Sequence, residues 1–108
     1  MSRTLAQIAT SAYTPAAPPS VTISTASATI LAAPSNKTRT ILRIQNTHAS
    51  NKLYIREDGG TVIATAGNFH LMLAPGQGWD WQDRIPQGAI TGIADGAGTV
   101  VAVTYAEV

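Results

Sequence analysis

Few side chains in this 108-residue chain could do acid–base or metal chemistry. Its two histidines, His48 and His70, are not joined by any short ligand spacing, as a zinc site would require. We interpret both as surface or packing residues. Four acids could in principle gather around Ca²⁺, but they lack the dense Asp/Asn/Gly spacing of a calcium loop. These acids are Glu57, Asp58, Asp80 and Asp83. The sequence therefore predicts no metal site.

Nucleophilic catalysis has equally little support. The chain has no cysteine, and its serines do not form the Gly-x-Ser-x-Gly turn of a hydrolase nucleophile. The glycines of Gly76-Gln-Gly78 are not followed by Lys-Ser/Thr, as they are in a phosphate-binding loop. We predict that the protein is not an enzyme, and that it uses no cofactor and no small-molecule substrate.

The segment Gly78–Gln82 contains both tryptophans of the chain, Trp79 and Trp81. On a strand they point to the same side, with Asp80 opposite. Two aligned indoles could form a stacking platform for a sugar. They could also be anchors of a core or of a subunit interface, because large aromatic side chains dominate both.

The charges are divided along the chain. Residues 1–56 carry all basic groups but one and no acid, whereas residues 57–108 carry all six acids and a single arginine, Arg84. If the strands near residues 39–45 and 52–56 pair as a hairpin, they build one basic outward face. Its members are Lys37, Arg39, Arg43, Lys52, Tyr54 and Arg56. We expect this face to contact an acidic protein surface, unless acidic strands of the same molecule neutralise it.

The overall composition limits the partners. Charged residues make up 12% of the chain, against about 25% in typical soluble domains, which favours a subunit in contact with others, including copies of itself. The net charge of +1 argues against a nucleic-acid partner. No apolar run approaches the roughly 18 residues of a membrane span, and the first 14 residues lack the apolar core of a signal peptide.

Beyond residue 20 the hydrophobic pattern has a period of two. Examples are Leu53 and Ile55, which alternate with polar residues, and Val101 and Val103 near the end. Turn residues such as Pro75-Gly76 interrupt these runs at short intervals. The pattern predicts an all-β domain over residues 21–108, a compact antiparallel β-sandwich of jelly-roll or related Greek-key type with about eight or nine strands.

Residues 1–20 differ in composition from the rest. They are rich in Ala, Ser, Thr and Pro, and Pro15, Pro18 and Pro19 favour extended backbone. We predict an extended N-terminal arm that reaches a neighbouring subunit. Its contact residues are expected to be Arg3, Leu5, Ile8 and Tyr13.

Several segments together resemble small accessory virion proteins of tailed bacteriophages. They are Arg39–Asn46 (RTILRIQN), Leu53–Arg56 (LYIR), Leu73–Gly76 (LAPG), Ile85–Ala94 (IPQGAITGIA) and Tyr105–Glu107 (YAE). The resemblance covers roughly residues 39–108 and leaves the arm unmatched.

This resemblance implies a capsid decoration, or cement, protein on the outer surface of a virion, with the major capsid protein and copies of itself as partners. Another head–tail or tail subunit is the nearest alternative. A carbohydrate-binding module that uses Trp79 and Trp81 is the alternative from a different class of protein.

Overall fold

The computed structural model of the protein describes residues 20–108, which form eight β-strands and one short 3₁₀ helix. The strands are β1 (Ser20–Ile23), β2 (Ala28–Leu31), β3 (Arg39–Asn46), β4 (Leu53–Arg56), β5 (Leu71–Leu73), β6 (Gly78–Asp80), β7 (Ile90–Ala94) and β8 (Thr99–Glu107). The 3₁₀ helix spans Ala64–Ala66 in the long connection between β4 and β5. The all-β class predicted from the sequence is confirmed for these residues.

The strands form two four-stranded antiparallel sheets. The order is β1-β8-β3-β6 in the first sheet and β2-β7-β4-β5 in the second. Buried side chains of both sheets belong to one hydrophobic cluster, so the sheets share a core in a sandwich-like arrangement.

The core forms where the two-residue alternation turns aliphatic side chains inward. Leu42 and Ile44 of the first sheet and Leu53 and Ile55 of the second are fully buried in the shared cluster. Each such side chain contributes about 1.5–3 kcal/mol relative to leaving it in water. The residues between them therefore occupy the outer faces of the sheets.

The alternation of β3 is interrupted near its start. The pairing of β3 with β8 shifts register between Arg39 and Ile41, and Thr40 and Ile41 are both exposed. Such an irregularity adds one residue and reverses the inward–outward pattern on one side of it. Our prediction that Arg39 faces outward is therefore wrong, because Arg39 is 1% exposed.

The segments that carry the resemblance contact one another at the end of β3. The Asn46 side-chain amide donates hydrogen bonds to the carbonyls of Asn51, Leu73 and Ala74, at 2.7, 3.2 and 3.3 Å. The Asn46 backbone also pairs with the adjacent turn, accepting from the N–H of Gly76 at 2.9 Å. Gly76 has a φ of 79°, a conformation that favours glycine. Asn46 thus ties β3 to the turn after β5.

The predicted arm, residues 1–20, lies outside the described residues except for Ser20, which begins β1. No helix within residues 20–108 is both long and apolar enough to cross a membrane.

Candidate interaction site on the outer faces of the sheets

The predicted basic face does not form as a single surface. β3 and β4 do not pair as a hairpin, because β3 belongs to the first sheet and β4 to the second. Arg43 is exposed on the outer side of the first sheet, while Lys52, Tyr54 and Arg56 lie on the outer side of the second. The hypothesis of one basic docking face is therefore wrong.

Arg39 has an internal role instead. Its guanidinium donates to the carbonyl oxygens of Pro86 (2.5 Å), Gly88 (3.1 Å) and Ala32 (3.0 Å), and Nε has no hydrogen-bond partner. Burial lowers the pKa of Arg39, and the nearby Glu107 opposes this shift. An arginine nevertheless stays charged in a protein. Arg39 therefore fixes two loops and is not available to a partner.

Arg56 is also engaged within the molecule. Its guanidinium donates to both carboxylate oxygens of Asp58, with Nε 2.8 Å from Oδ1, and the Gly60 N–H donates to the same Oδ1 at 3.0 Å. These donors hold the pKa of Asp58 well below its usual range, chiefly through the bond from Arg56. Within residues 20–108 this is the only ion pair.

The two tryptophans lie on one side of the first sheet but in different surroundings. Trp79 is opposite the buried Ile44 in the pairing of β6 with β3. The backbone N–H of Trp81 donates to the Leu42 carbonyl and continues this pairing beyond β6. Trp81 is 9% exposed and belongs to the core, whereas Trp79, on the edge strand β6, is 47% exposed. The two indoles therefore do not form the exposed pair that a sugar platform requires.

Glu57 accepts a hydrogen bond from the indole Nε1–H of Trp81 at 2.8 Å. This bond satisfies the polar atom of a buried ring, as buried indoles generally require. The Glu57 N–H in turn donates to Nδ1 of His70 at 3.0 Å. The acid and the histidine thus hold the end of β4 in place.

Both histidines act as hydrogen-bond acceptors for loops. Nδ1 of His48 accepts the backbone N–H groups of Ser50 and Asn51, at 3.0 and 2.9 Å. Nδ1 of His70 accepts the backbone N–H of Glu57. No group of three or more His, Asp or Glu side chains that could hold a metal ion occurs in the part of the chain from Ser20 onward.

The outer face of the first sheet, which we call the first-sheet face, is nearly neutral. Cross-strand pairing joins Ser20 to Ala102, Ala102 to Gln45 and Gln45 to Gly78, a row of mostly short side chains across all four strands. The other members of the face are Thr22, Ile41, Arg43, Asp80, Val100 and Thr104. Arg43 and Asp80, its two charged residues, are direct cross-strand neighbours.

The outer face of the second sheet carries an apolar row. Tyr54 is paired with Ile93 on one side and with Met72 on the other, and its ring centroid lies 4.8 Å from that of Phe69. The connection between β4 and β5 passes over this face and places Ile63 beside Tyr54 and Ile93. Tyr54, Ile63 and Ile93 line an open cleft, which we call the second-sheet groove, and Met72 lies beside it.

The sequence-predicted contact residues are thus dispersed. Tyr54 is the one that contributes to an apolar surface, while Arg3, Leu5, Ile8 and Tyr13 lie outside the described residues. Sequence reasoning missed Val100 of the first-sheet face and Met72 and Ile93 beside Tyr54. Each is an apolar residue at an outward position of a strand, and this mismatch in the sequence indicates a contact surface.

Comparison with known proteins found no matching family model, no matching curated sequence and no matching solved structure.

Proposed function

We propose that this protein is a capsid decoration, or cement, subunit that binds the outside of an assembled major-capsid lattice and stabilises it. The observation that carries the proposal is the first-sheet face, which combines a row of mostly short side chains with two charges, Arg43 and Asp80, that are adjacent and of opposite sign. These opposite charges leave the face without a net charge, so a weakly charged protein surface can contact it without a like-charge mismatch. The resemblance to bacteriophage accessory proteins supplies the kind of partner.

We also propose that the two sheets form a jelly roll. The strand orders β1-β8-β3-β6 and β2-β7-β4-β5 support this topology, because each sheet alternates strands from the two halves of the chain. Jelly rolls with eight strands recur in viral capsid and lectin domains. Since the fold serves both, it does not by itself select the function.

The size of the first-sheet face suits repeated contacts. Four strands about 4.8 Å apart, with about six residues each at about 3.3 Å per residue, cover about 400 Å². An ordinary protein interface buries about 800 Å² on each partner, so one face supplies about half of that area. Several copies around a lattice axis add their contacts through multivalency. A subunit that binds only the assembled shell then stabilises it by mass action.

The test is co-sedimentation with purified particles that lack the protein, followed by heating with and without it. We expect added protein to sediment with particles and to raise the temperature at which they burst. The variant Val100→Asp places a charge on the first-sheet face, where Val100 is 41% exposed, and should abolish binding. Thr61→Asp, at an exposed position of the β4–β5 connection, is the matched control and should bind normally.

Three results would contradict the proposal. Particles that are equally robust without the protein would exclude a cement role. Binding confined to the head–tail junction or the tail would instead indicate another virion subunit. Undiminished binding by Val100→Asp would exclude the first-sheet face as the docking surface.

A further inference from the structure

The second-sheet groove is an apolar surface left open on the side of the molecule opposite the first-sheet face. Ile63 is 48% exposed and Met72 is 40% exposed, and both border the half-buried Tyr54. Contiguous exposed apolar side chains of this kind commonly mark a contact with another chain.

We propose that the second-sheet groove receives the N-terminal segment, residues 1–19, of a second copy of this chain. The contact joins copies of the protein and needs no lattice, so it stands independently of the docking of the first-sheet face.

The chemistry of the segment matches that of the groove. Residues 1–19 carry the apolar side chains of Leu5 and Ile8, a single charged side chain, Arg3, and no acid. Asp95 lines the groove, and its Oδ1 accepts the backbone N–H of Lys52 at 2.8 Å. Asp95 makes no ion pair within residues 20–108. A segment with one cation and neighbouring aliphatic residues therefore complements an apolar groove whose lining includes one carboxylate.

The direction of β1 argues for a second copy rather than the same chain. β1 runs from Ser20 toward Thr25, which lines the groove, so residues 1–19 join β1 at the end remote from the groove. A segment of the same chain would have to reverse direction and run back alongside β1. Pro15, Pro18 and Pro19 lie just before Ser20 and favour extended backbone, which opposes such a reversal.

The reach of the segment is sufficient. Nineteen extended residues span about 65 Å at most. From Ser20 of one molecule, the segment can therefore cross to the groove of a neighbour.

Cysteine cross-linking tests the proposal directly, because the full chain contains no cysteine of its own. Two single variants, Leu5→Cys carrying an affinity tag and Ile63→Cys without one, are mixed and oxidised gently. We expect a disulfide-linked heterodimer that forms about tenfold faster than from Leu5→Cys mixed with Val100→Cys, because docking raises the effective concentration of the two thiols. Val100 is similarly exposed but lies on the first-sheet face.

Charge exchange provides an independent measurement on the full chain. Arg3→Glu and Asp95→Arg should each weaken self-association in sedimentation velocity runs, whereas an equimolar mixture of these two variants should recover it, because each N-terminal segment then meets a groove of opposite charge on the other variant. The double variant Arg3→Glu/Asp95→Arg should recover association, because it restores opposite charges at the contact.

Two outcomes would overturn the proposal. One is equal cross-linking rates with Ile63→Cys and Val100→Cys. The other is a double variant, Leu5→Cys/Ile63→Cys, that closes a disulfide within its own chain at every protein concentration. If Val100→Asp loses particle binding while the cross-link to Ile63→Cys forms normally, the two contacts are separate. If Val100→Asp loses particle binding but the cross-link to Ile63→Cys does not form, the groove contact is refuted and the lattice proposal stands.

Discussion

The side-chain amide of Gln87 pairs with the backbone of Arg39 as an adjacent strand would. Its Oε1 accepts the Arg39 N–H at 2.7 Å, and its Nε2 donates to the Arg39 carbonyl at 2.8 Å. The Arg39 guanidinium returns the contact by binding the carbonyls of Pro86 and Gly88, the residues on either side of Gln87. Two segments about 50 residues apart are therefore joined by reciprocal hydrogen bonds at the start of β3.

Removing the guanidinium should destabilise the fold strongly. We expect Arg39→Met to lower the free energy of unfolding by about 3 kcal/mol. Three carbonyl groups lose their donor at about 1–3 kcal/mol each, partly offset because a desolvated charge is also removed. Arg39→Lys keeps the charge but not the planar set of donors, and should fall between wild type and Arg39→Met.

Urea unfolding followed by circular dichroism measures these differences. The control is Arg43→Met, at an exposed position of the same strand, with an expected change within about 0.5 kcal/mol. Similar losses for Arg39→Met and Arg43→Met would show that the internal hydrogen bonds of Arg39 contribute nothing.

The amide of Gln87 should make a smaller, separable contribution. Gln87→Ala removes both bonds to the Arg39 backbone and should cost about 1–2 kcal/mol, since each ordinary hydrogen bond contributes about 1 kcal/mol net. Gln82→Ala, at another exposed glutamine of the same connection between β6 and β7, should leave the urea midpoint unchanged. If the two alanine variants have the same midpoint, the strand-like pairing is not stabilising.

The two tryptophans should be distinguishable by fluorescence. In Trp79→Phe the remaining indole is the buried Trp81, so emission should shift to shorter wavelength and resist quenching by acrylamide. In Trp81→Phe the remaining indole is the half-exposed Trp79, which should emit at longer wavelength and be quenched several-fold more efficiently. Equal quenching constants in the two variants would contradict this arrangement.

The same pair should differ in stability. Trp81→Phe leaves a smaller ring in the core and removes the hydrogen-bond donor of the Glu57 carboxylate. It should therefore lower the unfolding free energy by about 2 kcal/mol. Trp79→Phe should change it by less than about 0.5 kcal/mol. Thermal unfolding of both variants compares the two losses of stability. A larger loss for Trp79→Phe than for Trp81→Phe would contradict the burial of Trp81 in the core.

The ion pair between Arg56 and Asp58 predicts a pH dependence. The pKa of Asp58 is lowered in the folded state, so its contribution to stability is present above the unfolded value of about 3.9 and is lost as the pH falls through the folded pKa. Wild type should therefore exceed Asp58→Asn in unfolding temperature at neutral pH, and this difference should shrink below about pH 4. Because Asp58 is exposed, salt should also reduce it.

Asp83→Asn removes a different exposed carboxylate and controls for the loss of one negative charge. A difference between wild type and Asp58→Asn that stays constant from pH 7 to pH 3 would refute the ion pair as its source.

Local patterns predicted the strands but not their partners. The inward positions of Leu53 and Ile55 follow from alternation alone, because a strand turns successive side chains to opposite faces. The assignment of β3 and β4 to different sheets depends on contacts with β8 and β7, residues far along the chain that no local window contains. The six residues between β3 and β4 fit either a hairpin loop or a passage between sheets, and we expected the hairpin.

The candidate site was harder to predict than the fold for the same reason. Alternation alone predicts that Arg39 faces outward, and only the irregular pairing with β8 shows that it is buried. Trp79 is more exposed than Trp81 because β6 is the edge strand of its sheet. Both facts arise from neighbours in space. The loop segment Pro86-Gln87-Gly88 carries turn-forming residues, but nothing in it signals that Arg39 is its partner.

The extra residue at Thr40–Ile41 acts on β3 as a single-base insertion acts on a reading frame. Residues before the extra residue follow one phase of the inward–outward alternation, and residues after it follow the opposite phase. Deleting either Thr40 or Ile41 would restore a single phase and leave Arg39 two positions before Leu42, so its guanidinium would still face inward, now without the irregularity. With both residues present, regular pairing would turn the same guanidinium to solvent, so the irregularity, more than the presence of the arginine, decides on which side of the sheet that positive charge lies.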